Sequence, residues 1–252
     1  MSNIPALLAA NTARWKKAKL TRTPEFAPVA KRLVAAKARY QAVSAKTGVP
    51  WFVIAVIHQR ESNQNFARSL AQGDPWNEVS THVPKGRGPF SSWEAAAIDA
   101  LAVCPPYASR WKDWSAGGTM TLLEQYNGLG YANKGIPSPY IWSGTDQYAK
   151  GKYVADGVFD PNAVDKQLGC AGLIITMAAL DPSISFGGVV PVIPDAPIPQ
   201  TKPPVSKSDK AVVGGAAVAA GASTVQYGIW IGLGVMAMLA VSAFVYFKFI
   251  RK

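Results

Sequence analysis

GVPWFVIAVIHQRESNQNF, residues 48–66, is the stretch on which the reading of this chain turns. From Pro50 to Ile57 it is apolar almost all round, and at His58-Gln59-Arg60-Glu61-Ser62-Asn63 it turns abruptly polar. Pro50 suits the first turn of a helix, where its missing N–H costs nothing. A helix apolar on every side belongs inside a core. Glu61 then falls in the last turn, on the same face as Ile57 and Ile54. A carboxyl there is partly desolvated and feels the negative end of the helix dipole, and both effects disfavour its ionised form. Arg60 opposes that shift but points about 100° away round the helix. An acid that keeps its proton near neutral pH can protonate a leaving sugar oxygen, which is what glycosidic cleavage requires. The bland alternative is an exposed helix-end Glu followed by a Ser cap.

Outward from this helix, residues up to Asp181 predict further helices. EFAPVAKRLVAAKARYQAVSAKTG carries Val29, Leu33, Val34, Ala36 and Tyr40 at helical spacing, with Gly48 as its stop. SSWEAAAIDALAVCPP opens on a capping box, Ser91 with Glu94, and stops at Pro105-Pro106. TMTLLEQYNG is a short helix ended by Gly128. DPNAVDKQLGCAGLIITMAALDP is expected to start with Asp160 as cap and to end at Asp181-Pro182. Turn residues recur at short intervals between 66 and 90, leaving room for a small hairpin only. No internal repeat is present.

The net charge of +11 is concentrated at the front. The ten basic residues Arg14, Lys16, Lys17, Lys19, Arg22, Lys31, Arg32, Lys37, Arg39 and Lys46 face one acid, Glu25, within the first 46 residues. Such an end suits a polyanion, whether nucleic acid, anionic lipid or acidic wall polymer, or it is a solvated face that keeps the chain soluble. Nucleic acid fits poorly, because the aromatics lie in a different third of the chain from the basic cluster. Cys104 and Cys170 match neither a metal spacing nor a CxxC motif, and either pair or stay apart as buried thiols. His58 and His82 lack a helical His-x-x-x-His partner, so no metal and no cofactor is expected. The first residues carry their charges after the apolar stretch, the reverse of a secretory signal, so none is expected.

The C-terminal end is read as an anchor. Seven prolines between Asp181 and Val205 favour an extended spacer. Residues 211–226 are small-residue filler. YGIWIGLGVMAMLAVSAFVYF, residues 227–247, holds no charge, and at about 1.5 Å per residue it can cross a hydrocarbon core of about 30 Å. Tyr227, Trp230, Tyr246 and Phe247 lie near its ends, and Lys248, Arg251 and Lys252 close it. The expected organisation is a basic segment 1–25, a helical head 26–181, a Pro-rich linker 182–210, the filler, a transmembrane helix 227–247 and a basic tail 248–252.

GVPWFVIAVIHQRESNQNF resembles the signature of the lysozyme-like superfamily, in particular soluble lytic transglycosylases and phage endolysins, where an apolar helix ends in Glu-Ser. EQYNGLGYA, residues 124–132, resembles the family's second signature, a Tyr-Asn-Gly turn after a short helix lining the substrate cleft. The two lie in the family's order, and the similarity covers roughly residues 26–180. The resemblance implies a mainly α, lysozyme-like fold with a small β-hairpin or loop region. It also implies a muramidase that cleaves the MurNAc-GlcNAc β-1,4 bond of peptidoglycan, with Glu61 as general acid. Ser62 would shape the cleft, and Tyr126 and Asn127 would pack behind Glu61 or touch the glycan. The chain departs from the transglycosylase pattern where a Gly-Leu-Met-Gln-type loop usually follows, because here LAQGDPWNEVSTHVP stands instead. Hydrolysing members add an Asp or Thr after the catalytic helix, and Asp74 and Thr81 are the residues at that place, with Glu78 the weaker option. Asp74 is also an ordinary Gly-Asp-Pro turn residue.

Tyr131, Tyr140, Trp142, Tyr148 and Tyr153 lie among glycines and polar residues, as in a carbohydrate cleft whose aromatic faces stack on sugar rings, or in a loop pinned by its aromatics. Tyr140 and Trp142 are the candidates for substrate contact. Together these features predict a phage endolysin or virion-associated lysin, anchored in the host inner membrane or a virion membrane and acting on the periplasmic wall. A chitinase-like hydrolase and an inactive, anchored binding protein with a lysozyme-like head are the rivals.

Overall fold

The computed structural model describes residues 3–71, 73–82, 84–155 and 157–187. The filler, the expected transmembrane helix 227–247, the basic tail and all but the first few linker residues lie outside them. Among the described residues no helix is long and apolar enough to cross a membrane. The described residues are mainly helical, with one small two-stranded sheet among them.

Helix α4 (Trp51–Ser62) is its centre, and every residue from Trp51 to His58 is buried. Pro50 is its N-cap rather than a first-turn residue. Around it pack α2 (Thr23–Ala35), α3 (Lys37–Thr47) and α9 (Cys170–Leu180). The expected single helix through 26–47 is two, bent at Ala36. The bend lets Phe26, Ala30 and Leu33 on one half, and Tyr40 and Val43 on the other, all reach the core. No breaker residue marks it in the sequence. Gly48 ends α3 in the left-handed conformation, as its position predicted.

Helix α1 (Ile4–Lys17) lies along α6 (Ala116–Asn127), with Asn11 buried and its Nδ2 donating to Thr121 Oγ1 at 3.3 Å. A Cβ on Gly117 would stand 1.9 Å from Thr12 Oγ1, so this close approach needs glycine. Gly172 allows the equivalent contact of α9 with Phe26 of α2, where a Cβ would stand 2.2 Å from the ring. The boundary expected between residues 25 and 26 therefore falls inside α2, and α1 packs with the rest of the head.

The boundary at Asp181 also moves. Ile184 is buried, and the Phe186 ring meets Trp15 edge-on at 4.9 Å and Phe52 at 5.7 Å. Gly187 N–H donates to the Trp114 carbonyl at 2.8 Å, and Lys37 Nζ reaches Asp181 at 2.6 Å and Ser183 Oγ at 2.8 Å. Residues 182–187 thus belong to the head, and they pack on α4 at the end opposite Glu61.

Three further expectations are corrected. Ser92, not Ser91, caps α5 (Trp93–Ala102), accepting from Ala95 N–H. Glu94 is fully buried and meets Arg39 Nε at 2.5 Å instead of closing a capping box. Helix α9 starts at Cys170, because Val158–Asp160 (β2) pairs antiparallel with Lys152–Ala155 (β1), and Asp160 turns the chain by accepting from the N–H groups of Asn162 and Ala163. The Asp-Pro pair that reads as a cap is a turn. The hairpin therefore lies at 152–160, and among the described residues of 66–90 an isolated Arg68–Pro75 bridge forms in place of one. Cys104 and Cys170 are both free and buried.

Candidate functional site

The polar end of α4 divides by direction. His58 faces inward, fully buried among Tyr40, Phe66 and Trp93, with Tyr40 Oη 3.0 Å from its Nδ1. Burial brings its pKa down to about 3, so it is a neutral core residue. Ser62 Oγ donates back to the His58 carbonyl at 3.2 Å. Asn63 and Gln64 follow in the left-handed conformation, which turns the chain sharply off the helix end.

Glu61 is half-buried, and Tyr140 Oη donates to its Oε1 at 2.9 Å. Burial pushes the carboxyl up to about 7, against the Tyr140 hydrogen bond and the Arg60 charge, which both favour ionisation. Tyr140 belongs to the short helix α8 (Pro139–Trp142), which follows the single-turn α7 (Gly130–Asn133), and its ring is buried. Tyr126, in the last turn of α6, donates to the Leu70 carbonyl at 3.2 Å. Burial, then the nearby Glu61 charge, raises the pKa of both tyrosines well above the ordinary phenol value. The structure therefore brings Glu61, Tyr126 and Tyr140 together across 79 residues of chain at the longest.

Asn127 is half-buried, with Nδ2 buried and unpaired among the described residues. Trp142 is fully buried, so its ring is core and offers no face to a glycan. Tyr131 and Tyr148 are also buried, and Tyr131 packs against Tyr153 and Phe159 of the hairpin. Asp74 Oδ2 accepts from the N–H groups of Thr81 and His82 at 2.9 and 3.1 Å, and Oδ1 lies 2.5 Å from His82 Nδ1. Burial alone would raise the Asp74 carboxyl, but the bonds from His82 and Thr81 outweigh it and hold it below the ordinary range. Both its oxygens are thus spent on closing the 74–82 loop, and Thr81 meets Asp74 through its backbone.

Sequence reasoning missed Asp165. Its Oδ2 receives Arg60 Nη2 at 3.1 Å and its Oδ1 receives Lys152 Nζ at 2.9 Å, with Arg60 6% and Asp165 3% exposed at the side chain. A partner 105 residues away leaves no local signal. Among the described residues no group of three or more His, Cys, Asp or Glu could hold a metal ion.

The fold and the site define a helical domain with a raised carboxyl, Glu61, at the polar end of its central helix. No family model, no curated protein and no solved structure matches the chain.

Proposed function

We propose that this protein cleaves the glycan strands of peptidoglycan at the MurNAc-GlcNAc bond, using a lysozyme-like head with Glu61 as its general acid. The observation that carries the reading is the Glu61 carboxyl, pushed up to about 7 by burial at the polar end of a buried helix and oriented by Tyr140. A carboxyl so held keeps much of its proton up to near neutral pH and can pass it to a glycosidic oxygen. The engagement of Asp74 in its own loop favours the route that needs a single carboxyl. There Glu61 protonates the leaving oxygen. The muramyl C6 hydroxyl then closes on C1, giving its proton to the Glu61 carboxylate and restoring the acid. The product is an anhydro-muramyl end, and no cofactor takes part. The Pro-rich linker and the apolar stretch 227–247 would tether this head to a membrane, as in a phage endolysin or virion-associated lysin acting on the periplasmic wall.

The test is muropeptide release from purified Gram-negative peptidoglycan by the full chain and its Glu61→Gln variant, read by mass spectrometry. Anhydro-muramyl ends that disappear in the variant support the reading. Reducing ends instead would mean a hydrolase and would return attention to Asp74 and Thr81. Release that survives Glu61→Gln sinks the mechanism.

A further inference from the structure

Arg60 is the neighbour of Glu61 in sequence and is almost wholly buried, 6% exposed at the side chain. A buried cation beside a proton donor is a threat to it, because an opposite charge within about 4–6 Å favours the ionised carboxylate. The structure holds this cation in another direction. Arg60 Nη2 meets Asp165 Oδ2 at 3.1 Å, and Nη1 donates to the Leu168 carbonyl at 3.3 Å. The guanidinium lies over the Tyr140 ring, 4.7 Å from its centroid. Asp165 is itself fixed. Its Oδ1 takes Lys152 Nζ at 2.9 Å and the Gln167 N–H at 3.3 Å, its own N–H donates to Tyr148 Oη at 3.0 Å, and its carbonyl accepts from Ser143 Oγ at 2.9 Å. Burial alone would raise the Asp165 carboxyl, but Arg60 and Lys152 outweigh it and keep it ionised.

The groups facing Glu61 are few. Arg60 comes from its own helix, Tyr126 from α6, Tyr140 from α8 and the Cys170 thiol from the start of α9. Burial lifts both tyrosines well above the ordinary phenol value and Cys170 up to about 12, so all three stay neutral at working pH. Arg60 is therefore the charge among them that can alter the proton on Glu61, and Asp165 is what answers that charge.

We infer that Asp165 is a positioning residue: by pairing with the Arg60 guanidinium and turning it onto the Tyr140 ring, it keeps that cation from claiming the Glu61 carboxyl, which thereby stays a proton donor. The inference rests on the general-acid reading of Glu61. It also binds the β1 strand, through Lys152, to the end of α4, so that a hairpin distant in sequence sets the protonation of the site.

The experiment reads Glu61 directly, without substrate, from the pH dependence of its carboxyl stretch in the infrared, using Glu61→Gln as the spectral reference. In Asp165→Asn the unanswered Arg60 charge moves the Glu61 midpoint to lower pH by about one pH unit or more. Adding Arg60→Gln to that variant removes the cation and returns the midpoint to the starting value or above. Should Asp165→Asn fail to fold with two cations left unpaired, Lys152→Met/Asp165→Asn leaves only Arg60 and carries the same expectation. A Glu61 midpoint that does not move in the folded variants overturns the inference. If the unaltered chain releases no muropeptides, the functional reading fails by itself, and the infrared result stands independently of it. If the chain is active, the alkaline limb of its pH profile shifts with the midpoint in Asp165→Asn, which loosened packing alone would not produce.

Discussion

Glu61 and Glu124 occupy matching positions, near the C-terminal ends of the buried helices α4 and α6, and burial pushes their carboxyls up to about 7 and about 8. Their surroundings differ. Glu61 is half-buried and carries the Tyr140 hydroxyl on one oxygen. Glu124 is 2% exposed, its Oε1 is buried without a hydrogen-bond partner among the described residues, and Arg14 and the Ala132 N–H only partly offset the burial. A raised carboxyl is thus a consequence of burial and not yet a site. An orienting donor makes the difference: Tyr140 holds Glu61, whereas Glu124 Oε1 has no such partner among the described residues.

The largest effect expected is on turnover. Glu61→Gln lowers muropeptide release by about 10²–10⁴-fold, the usual worth of a general acid, whereas Glu124→Gln leaves it within about threefold. Equal losses in the two variants would break the comparison. Release by the unaltered chain should also fall as pH rises through about 7, where Glu61 gives up its proton.

Either measurement on an isolated head requires one that ends at Gly187. A head cut after Asp181 loses Ile184 and Phe186 and uncovers Trp15 and Phe52. It should be less stable by about 3 kcal/mol in denaturant unfolding. Equal stability of the two heads would show that residues 182–187 contribute no packing.

Glu124 should show itself in stability. Its folded pKa is raised above the unfolded value, so the folded state binds the extra proton. Its stabilisation is full below about pH 4.5 and is lost as pH rises through about 8. Glu124→Gln keeps the shape without the titration and should raise stability at pH 8 by about 4 kcal/mol. No gain at pH 8 over pH 5 would mean that Glu124 ionises freely.

Asp74 sharpens the contrast from the other side, as a carboxyl held below the ordinary range. Asp74→Asn should cost about 1 kcal/mol of stability through weakened loop bonds and change muropeptide release less than tenfold. A loss as deep as that of Glu61→Gln would make Asp74 a second catalytic group.

Much of the scaffold is legible in order. The apolar run of α4, the Gly48 stop, the Gly128 end of α6 and the Asp181 end of α9 follow from periodicity and from glycine and capping chemistry. The bend at Ala36 carries no local signal, because it answers to packing against α4. The Asp160-Pro161 pair misleads for a related reason: cap and Asx turn use the same side-chain bonds, and only the pairing of β1 with β2 chooses between them. The aromatics from Tyr131 to Tyr148 read equally as cleft or core, and their burial is a property of what packs on them.

What the sequence determined by itself is the central helix and the carboxyl at its polar end, because an unbroken apolar face must be buried and a residue four places on from Ile57 shares its side. Only the tertiary structure decided which tyrosine orients that carboxyl, that Asp74 is spent on its own loop, and that Asp165 answers Arg60. Those are contacts between segments up to 105 residues apart, and side-chain spacing along the chain carries no information about them.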